Sequence, residues 1–251
     1  MVKLRPFFSF YGGKWRDAPR LYPSPQGDTI IEPFAGSAGY SVRHPHKRVI
    51  LYDKDPTIAG LWEYLISAKE SDILGIPDVP EGATVHDVGM SQEERWLAGF
   101  WLNKGVSSPR PAPSRWMIKQ QKSRPETYWG APVRERIAAQ LKHIRHWQVM
   151  NRSYADCEAH TGTWFIDPPY QVAGTHYRFG SKDIDYEHLS GWCRSRDGLT
   201  IVCENHGSDW LPFSRLADVK TARRKTRSKE VAWISDSESE QLHLPLSASH
   251  H

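Results

Sequence analysis

The sequence predicts an α/β fold with a mixed, mostly parallel sheet, and three observations predict it. Two short apolar runs, residues 29–32 and 48–53, read as buried strands, each followed by a helical pattern. The strand rhythm breaks after about residue 67 and resumes at residues 148–151, 163–167 and 199–204, with helices between. Finally, residues 218–223 and 229–235 flank a basic turn too short for a crossover helix, so the sheet is expected to end in an antiparallel hairpin.

The individual elements have local signals. Asp55 followed by Pro56 is an N-cap and a first-turn proline, opening a helix through residue 66. Ser91 with Glu94 forms a capping box for a helix running to residue 101. Residues 104–125, rich in Pro, Ser and Arg, read as loop, and Pro132 opens a helix over residues 133–147. This predicts a domain built from residues 1–67 and 147–240, an inserted module at 68–146, and a tail at 241–251. The acidic run at 236–240 reads as a solvated end.

The 251 residues contain 39% hydrophobic and 25% charged residues with 11 tryptophans, a balance that excludes a disordered chain. In the first ten residues Pro6 and Ser9 interrupt the apolar run, which disfavours a signal peptide or membrane span and predicts a cytoplasmic protein. Cys157, Cys193 and Cys203 form no C-x-x-C pair, so neither a disulfide framework nor a zinc site is expected, and no metal is assigned.

The net charge of +4 is unevenly spread. Between Lys104 and Arg145 there are ten Lys or Arg against two acids, Glu126 and Glu135; between Lys220 and Lys229 there are six basic residues and no acid. The remainder is therefore net acidic. Concentrated positive charge points to a polyanionic partner. In the first basic segment the charges are interleaved with Trp116, Tyr128, Trp129 and Trp147, the combination that neutralises phosphates and packs on bases or sugars. Lys104, Arg110, Arg115, Lys119, Lys122 and Arg124 fall in its loop-like part, and Arg224 and Arg227 in the second run. For any single lysine among them a solvated charged face with structural tryptophans is the better reading, and it is the lack of acids across the segment as a whole that favours nucleic acid.

Residues 30–41, IIEPFAGSAGYS, place a strand end at Glu32 before a run of small residues and an apparent helix start. Such a turn lets backbone approach a ligand at the carboxyl edge of a sheet. Asp53, seventeen residues beyond Gly36, ends the next strand, where a carboxylate accepts ribose hydroxyls. The spacing is not G-x-G-x-x-G, and Glu32 would repel a pyrophosphate, so a cationic, phosphate-free nucleoside such as S-adenosylmethionine suits it better than a nicotinamide dinucleotide. Standing alone, the segment would read as an ordinary strand-to-helix turn.

The quartet Asp167, Pro168, Pro169, Tyr170 reaches the same sheet edge. By composition it arises by chance in about one chain in a thousand of this length. A planar amino group could donate to the Asp167 carboxylate and the Pro168 carbonyl with Tyr170 stacked on its ring. The plainer alternative is a rigid turn.

The segments FYGGK (10–14), EPFAGSAG (32–39), YDKD (52–55), SYAD (153–156), DPPY (167–170), ENHGS (204–208) and RRKTRSKEVAW (223–233) occur in this order. Together they resemble the DNA adenine methyltransferases of the Dam type across most of the chain outside the insertion. The resemblance implies a Rossmann-like methyltransferase fold with a small inserted target-recognition module, S-adenosylmethionine as cofactor and duplex DNA with a flipped adenine as partner. It further implies that Phe10 and Lys14 line the cofactor site with Glu32, Phe34, Gly36 and Ser37, that Asp53 holds the ribose, and that Asp156 lies near the adenine of the cofactor. Asp167, which also borders the cofactor, Pro168 and Tyr170 match the catalytic positions. Phe10 departs from the tryptophan or tyrosine of some relatives, and residues 171–180 are only loosely similar.

The expected chemistry is direct methyl transfer to adenine N6 after base flipping, with no metal, by a chain expected to act as a monomer, a dimer being the alternative. Cytosine N4 and glutamine-directed methyltransferases use serine or asparagine where this chain has Asp167. A non-catalytic nucleic-acid module on the same fold, or an RNA substrate, remains open from the residues alone.

Overall fold

In the computed structural model, which describes residues 3–172, 174–220 and 227–235, the predicted strands assemble into one seven-stranded sheet. β1 (Thr29–Glu32) pairs in parallel with β2 (Arg48–Tyr52) on one side and β4 (Thr163–Ile166) on the other. β3 (Gln148–Met150) extends the sheet beyond β2, and β5 (Thr200–Asn205) beyond β4, both parallel. β6 (Ser214–Lys220) and β7 (Arg227–Ile234) close it antiparallel, in the order β3-β2-β1-β4-β5-β7-β6.

The central strands are apolar throughout because both sheet faces are covered. Alternate residues divide between two cores: Ile30, Val49, Leu51, Phe165 and Ile201 face one, and Ile31, Ile50, Trp164, Ile166 and Val202 the other. The first core is the larger. It receives Phe7, Phe8 and Trp62, together with Phe100, Trp129 and Ile137 from the segment expected to be inserted. Fully burying one such side chain stabilises by about 2 to 3 kcal/mol. On the second face lies α7 (Tyr186–Arg194), through Leu189 and Cys193.

Capping signals were accurate guides. α2 (Pro56–Ser67) begins where Asp55 accepts the Thr57 N–H at 2.9 Å. α4 (Gln92–Leu102) carries the reciprocal Ser91 and Glu94 bonds. Three further helices, α1 (Ala18–Leu21), α3 (Glu70–Gly75) and α5 (Arg115–Ser123), had no counterpart in the sequence reading. α5 corrects the expected loop at 104–125. Prolines bound it, at Pro113 and Pro125, but none interrupts it, and Ser114 caps it by accepting the Met117 N–H.

Other expectations also change. The helix at 133–147 is α6 (Ala131–Gln140) followed by one 3-10 turn, Leu141–His143. Trp147 lies beyond both and packs on Trp62, with ring centroids 5.6 Å apart. After β1 there is no α-helix, only a 3-10 turn at Ser41–Arg43, because Pro45 keeps His44 out of helical geometry. Between β3 and β4 the chain makes a single 3-10 turn, Tyr154–Asp156; residues 157–162 lack the apolar spacing a helix would need. The hairpin is present, but β6 starts at Ser214 and contains a bulge between Arg215 and Ala217.

Among the described residues, no helix is long and apolar enough to cross a membrane, and no cluster of His, Cys, Asp or Glu could hold a metal ion.

Candidate active site

The strand order reverses between β1 and β4, and a cleft opens at their carboxyl ends, where open α/β sheets bind ligands. The β1 edge is built first. Glu32 ends the strand and the chain turns back across β2, fixed by the Ala35 N–H donating to the Tyr52 carbonyl at 3.0 Å. Gly36 then adopts φ +45°, and a Cβ there would lie 3.0 Å from the Phe10 ring, so glycine both permits the turn and lets Phe10 lie against it. Its N–H donates to Asp53 Oδ2 at 3.0 Å, and its carbonyl accepts the Trp62 indole N–H at 2.8 Å.

Asp53 follows β2 and ties the site together. Its other oxygen accepts the Asp55 N–H at 2.9 Å. Burial pushes its carboxyl up to about 6, although both backbone donors oppose the shift. Glu32 is buried deeper, at 2% exposure, and burial pushes it up to about 8 against the Ser41 N–H, which donates to Oε1 at 2.8 Å. Glu32 therefore fastens the β1 turn as well as facing the cleft.

From β4 comes the Asp167 to Tyr170 turn. Lys14 donates from Nζ to Asp167 Oδ2 at 2.9 Å and to the Gly12 carbonyl at 3.0 Å. Burial works against the Lys14 charge, but Asp167 first and Glu230 second outweigh it and hold the ammonium above its ordinary range. The Pro169 carbonyl accepts the Tyr186 hydroxyl at 2.6 Å, and the Gln171 N–H donates to Glu204 at 3.0 Å. Pro168 is buried.

The cleft encloses about 990 Å³ of empty space, open solvent included. Of the residues expected to hold a cofactor, Phe10, Lys14, Glu32, Phe34, Gly36, Ser37, Asp53 and Asp167 line it. Asp156 does not: it is exposed, and its neighbours Ser153 and Tyr154 line the cleft instead, with Phe34 stacked on Tyr154 at 5.4 Å. Tyr170 lines a second cavity that shares Phe10 to Lys14, Ser37 and Tyr177 with the first and extends to Trp101, Lys104, Asn205 and Glu230.

Sequence reasoning missed Tyr177, Arg178 and Phe179, which close one side of the cleft. Tyr177 packs 6.0 Å from Phe10, Arg178 pairs with Asp55 at 3.5 Å, and Lys54 lies over Phe179. Their signal was three large side chains in a row, with six residues between them and the DPPY turn.

The basic segment is divided. Lys104, Arg110, Arg115, Lys119, Lys122 and Arg124 are all exposed, and α5 presents Arg115, Lys119 and Lys122 with Trp116, which is 59% exposed. Arg134 instead pairs with Asp78, Arg136 bonds the Glu126 carbonyl, and Arg145 bonds the carbonyls of Ile66 and Ala68. Tyr128, Trp129 and Trp147, expected to pack on nucleic acid, are buried; the Trp129 indole donates to the Pro77 carbonyl at 2.8 Å. Of the four aromatics, Trp116 alone is exposed. Arg224 lies outside the described residues, and Arg227 is described only as the first residue of β7.

No family model and no curated protein matches the chain. Its architecture is similar to that of a number of solved structures, three of which follow. A "conserved hypothetical protein" of Streptococcus pyogenes gives a TM-score of 0.40 at 9% identity, over 89% of this chain and 95% of that one. "Putative methyltransferase yhhF from Escherichia coli" gives 0.35 at 10% identity, over 86% and 77%. "Putative methylase HI0767 from Haemophilus influenzae" gives 0.31 at 13% identity, over 86% and 81%.

Proposed function

We propose that this chain is an S-adenosylmethionine-dependent DNA methyltransferase that modifies adenine N6 in a nucleotide rotated out of the duplex. The observation that carries this reading is the position of the Asp167 to Tyr170 turn: Asp167 borders the first cavity, Tyr170 the second, and the two cavities share a wall.

The donor set fits such a cofactor. Five carboxyls, Glu32, Asp53, Asp55, Asp167 and Asp183, line the first cleft against three cations, Lys14, Lys54 and Arg178. Lys14 is already paired with Asp167, and Arg178 with Asp55. Glu32 is protonated below about 8, and the other four carboxyls still outnumber the three cations, so a pyrophosphate would meet net repulsion there, whereas a cationic nucleoside gains. Asp53 would accept the ribose hydroxyls, while Phe10, Phe34 and Ile58 supply the apolar wall. When bound, the cofactor supplies an electrophilic methyl group on a sulfonium.

Asp167 keeps one oxygen for a substrate, because Lys14 occupies Oδ2. An exocyclic adenine amino group that donates to the free oxygen and to the Pro168 carbonyl is held with its lone pair turned toward the first cleft. Both acceptors stabilise the positive charge that grows on nitrogen during transfer. Tyr170 offers a ring for the purine to stack on, and alignment of the reacting atoms supplies most of the remaining acceleration. The exposed cations of α5 and the preceding loop would hold the duplex, offsetting the few kcal/mol that extrusion of a base costs.

Incubation of the purified chain with unmethylated genomic DNA and labelled S-adenosylmethionine, followed by mapping of modified bases, tests the reading. Label at adenine N6 is the expected result. Label on cytosine, on RNA alone or on nothing overturns it.

A further inference from the structure

Among the described residues, one buried carboxyl that lines the second cavity lies outside the mechanism above and touches a residue placed in it. Glu230, 8% exposed on β7, faces the second cavity, which lies between the first cleft and the basic surface at Lys104. Its strand register is fixed on both sides, against Asn205 of β5 and Ala217 of β6. Sixty residues earlier in the chain, Tyr170 donates its hydroxyl to Glu230 Oε2 at 2.9 Å.

Tyr170 thus has three anchors. Its carbonyl accepts the Gly174 N–H at 2.6 Å, Lys14 Nζ lies 4.9 Å from its ring centroid, and Glu230 holds the phenol. The backbone bond fixes where the side chain starts and leaves its torsions free. The ammonium restrains one ring face without fixing rotation about the ring axis. Only the bond to Glu230 fixes the far end, and a phenol donating to a carboxylate is among the stronger neutral-to-ion hydrogen bonds.

Resting on the function proposed above, we infer that Glu230 is a positioning residue for methyl transfer, acting through the Tyr170 hydroxyl to hold that ring at the orientation in which a purine can stack with its amino group at Asp167. The antiparallel strand β7 then has a role in the site as well as in the sheet. A ring held in this way is preorganised, whereas a loosened one must be ordered again at each turnover.

A double-mutant cycle tests the inference, using the full chain, S-adenosylmethionine and an unmethylated adenine-containing duplex. Glu230→Ala and Tyr170→Phe are each expected to lower kcat about 10-fold with KM for the methyl donor unchanged. Because both remove the same bond, the double variant should be no slower than either single one. Glu230→Gln keeps an acceptor and should recover most of the loss. Multiplying effects in the double variant, or a Gln variant as slow as the Ala variant, overturn the assignment while leaving the proposed function intact. Should Glu230→Ala fail to fold, Tyr170→Phe and Tyr170→Phe with Glu230→Gln carry the test: equal rates support it and a further drop overturns it. Absence of transfer by the unaltered chain to any duplex removes the functional reading, and this inference with it.

Discussion

Lys14 and Asp167, 153 residues apart, meet at 2.9 Å with 9% and 21% of their side chains exposed. The contact ties the N-terminal glycine turn to the turn after β4, across the point where the strand order reverses. Removing one partner of a buried pair leaves an uncompensated charge, at a cost of about 3 kcal/mol or more.

That relationship separates stability from chemistry at Asp167. Asp167→Ala is expected to abolish methyl transfer, to lower stability and to leave duplex binding intact. Adding Lys14→Met to it should recover stability in thermal melts without recovering activity. Full methyl transfer by Asp167→Ala would refute the catalytic assignment.

Asp53 predicts a pH dependence of cofactor binding. Burial holds its carboxyl at about 6, so it is ionised above that pH and progressively protonated below it. A protonated carboxyl is a poorer acceptor for ribose hydroxyls. Affinity for S-adenosylmethionine, measured by calorimetry, should therefore fall as pH drops through about 6. Asp53→Asn should bind more weakly at pH 8 and lose that dependence; a flat wild-type profile would contradict the role.

Glu32 should leave its mark on folding. Its carboxyl is held at about 8 in the folded chain and near its ordinary value unfolded, so the native state binds the extra proton between the two. Stability then declines as pH rises through that window and levels off above about 8. Glu32→Gln keeps the Ser41 contact but does not titrate. Its stability relative to the unaltered chain should rise between pH 5 and 8 in urea unfolding; a constant difference would count against the burial argument.

Lys119, Lys122 and Arg124 are exposed at the end of α5. Truncating all three is expected to weaken duplex binding and to reduce the slope of log affinity against log salt by about 2 to 3. Fluorescence anisotropy across a salt series measures it. An unchanged slope would exclude them as phosphate contacts.

Gly39 is predicted to resist any side chain. A Cβ there would fall 2.6 Å from the Trp15 nitrogen and 2.8 Å from that of Lys14, both backbone atoms that cannot swing aside. Gly39→Ala should lower stability by about 1 to 3 kcal/mol and displace Lys14, read as a lower melting temperature with lost methyl transfer. A variant with unaltered melting would contradict the packing described.

By itself the sequence determined the strands, the hairpin and the capped helices α2 and α4, because apolar runs and Asp-Pro or Ser-x-x-Glu caps act over a few residues. It also placed Glu32, Asp53 and Asp167 at strand ends, hence at one sheet edge. Tertiary structure alone decided which charges and aromatics were free. Arg134 and Arg145 found acceptors on α3's flanking loops and α2's end, and Trp129 and Trp147 went into the core, as partners distant in sequence were available to them. It alone set Tyr170 against Glu230, since that pairing depends on β7 returning antiparallel beside β5, a register no local pattern encodes.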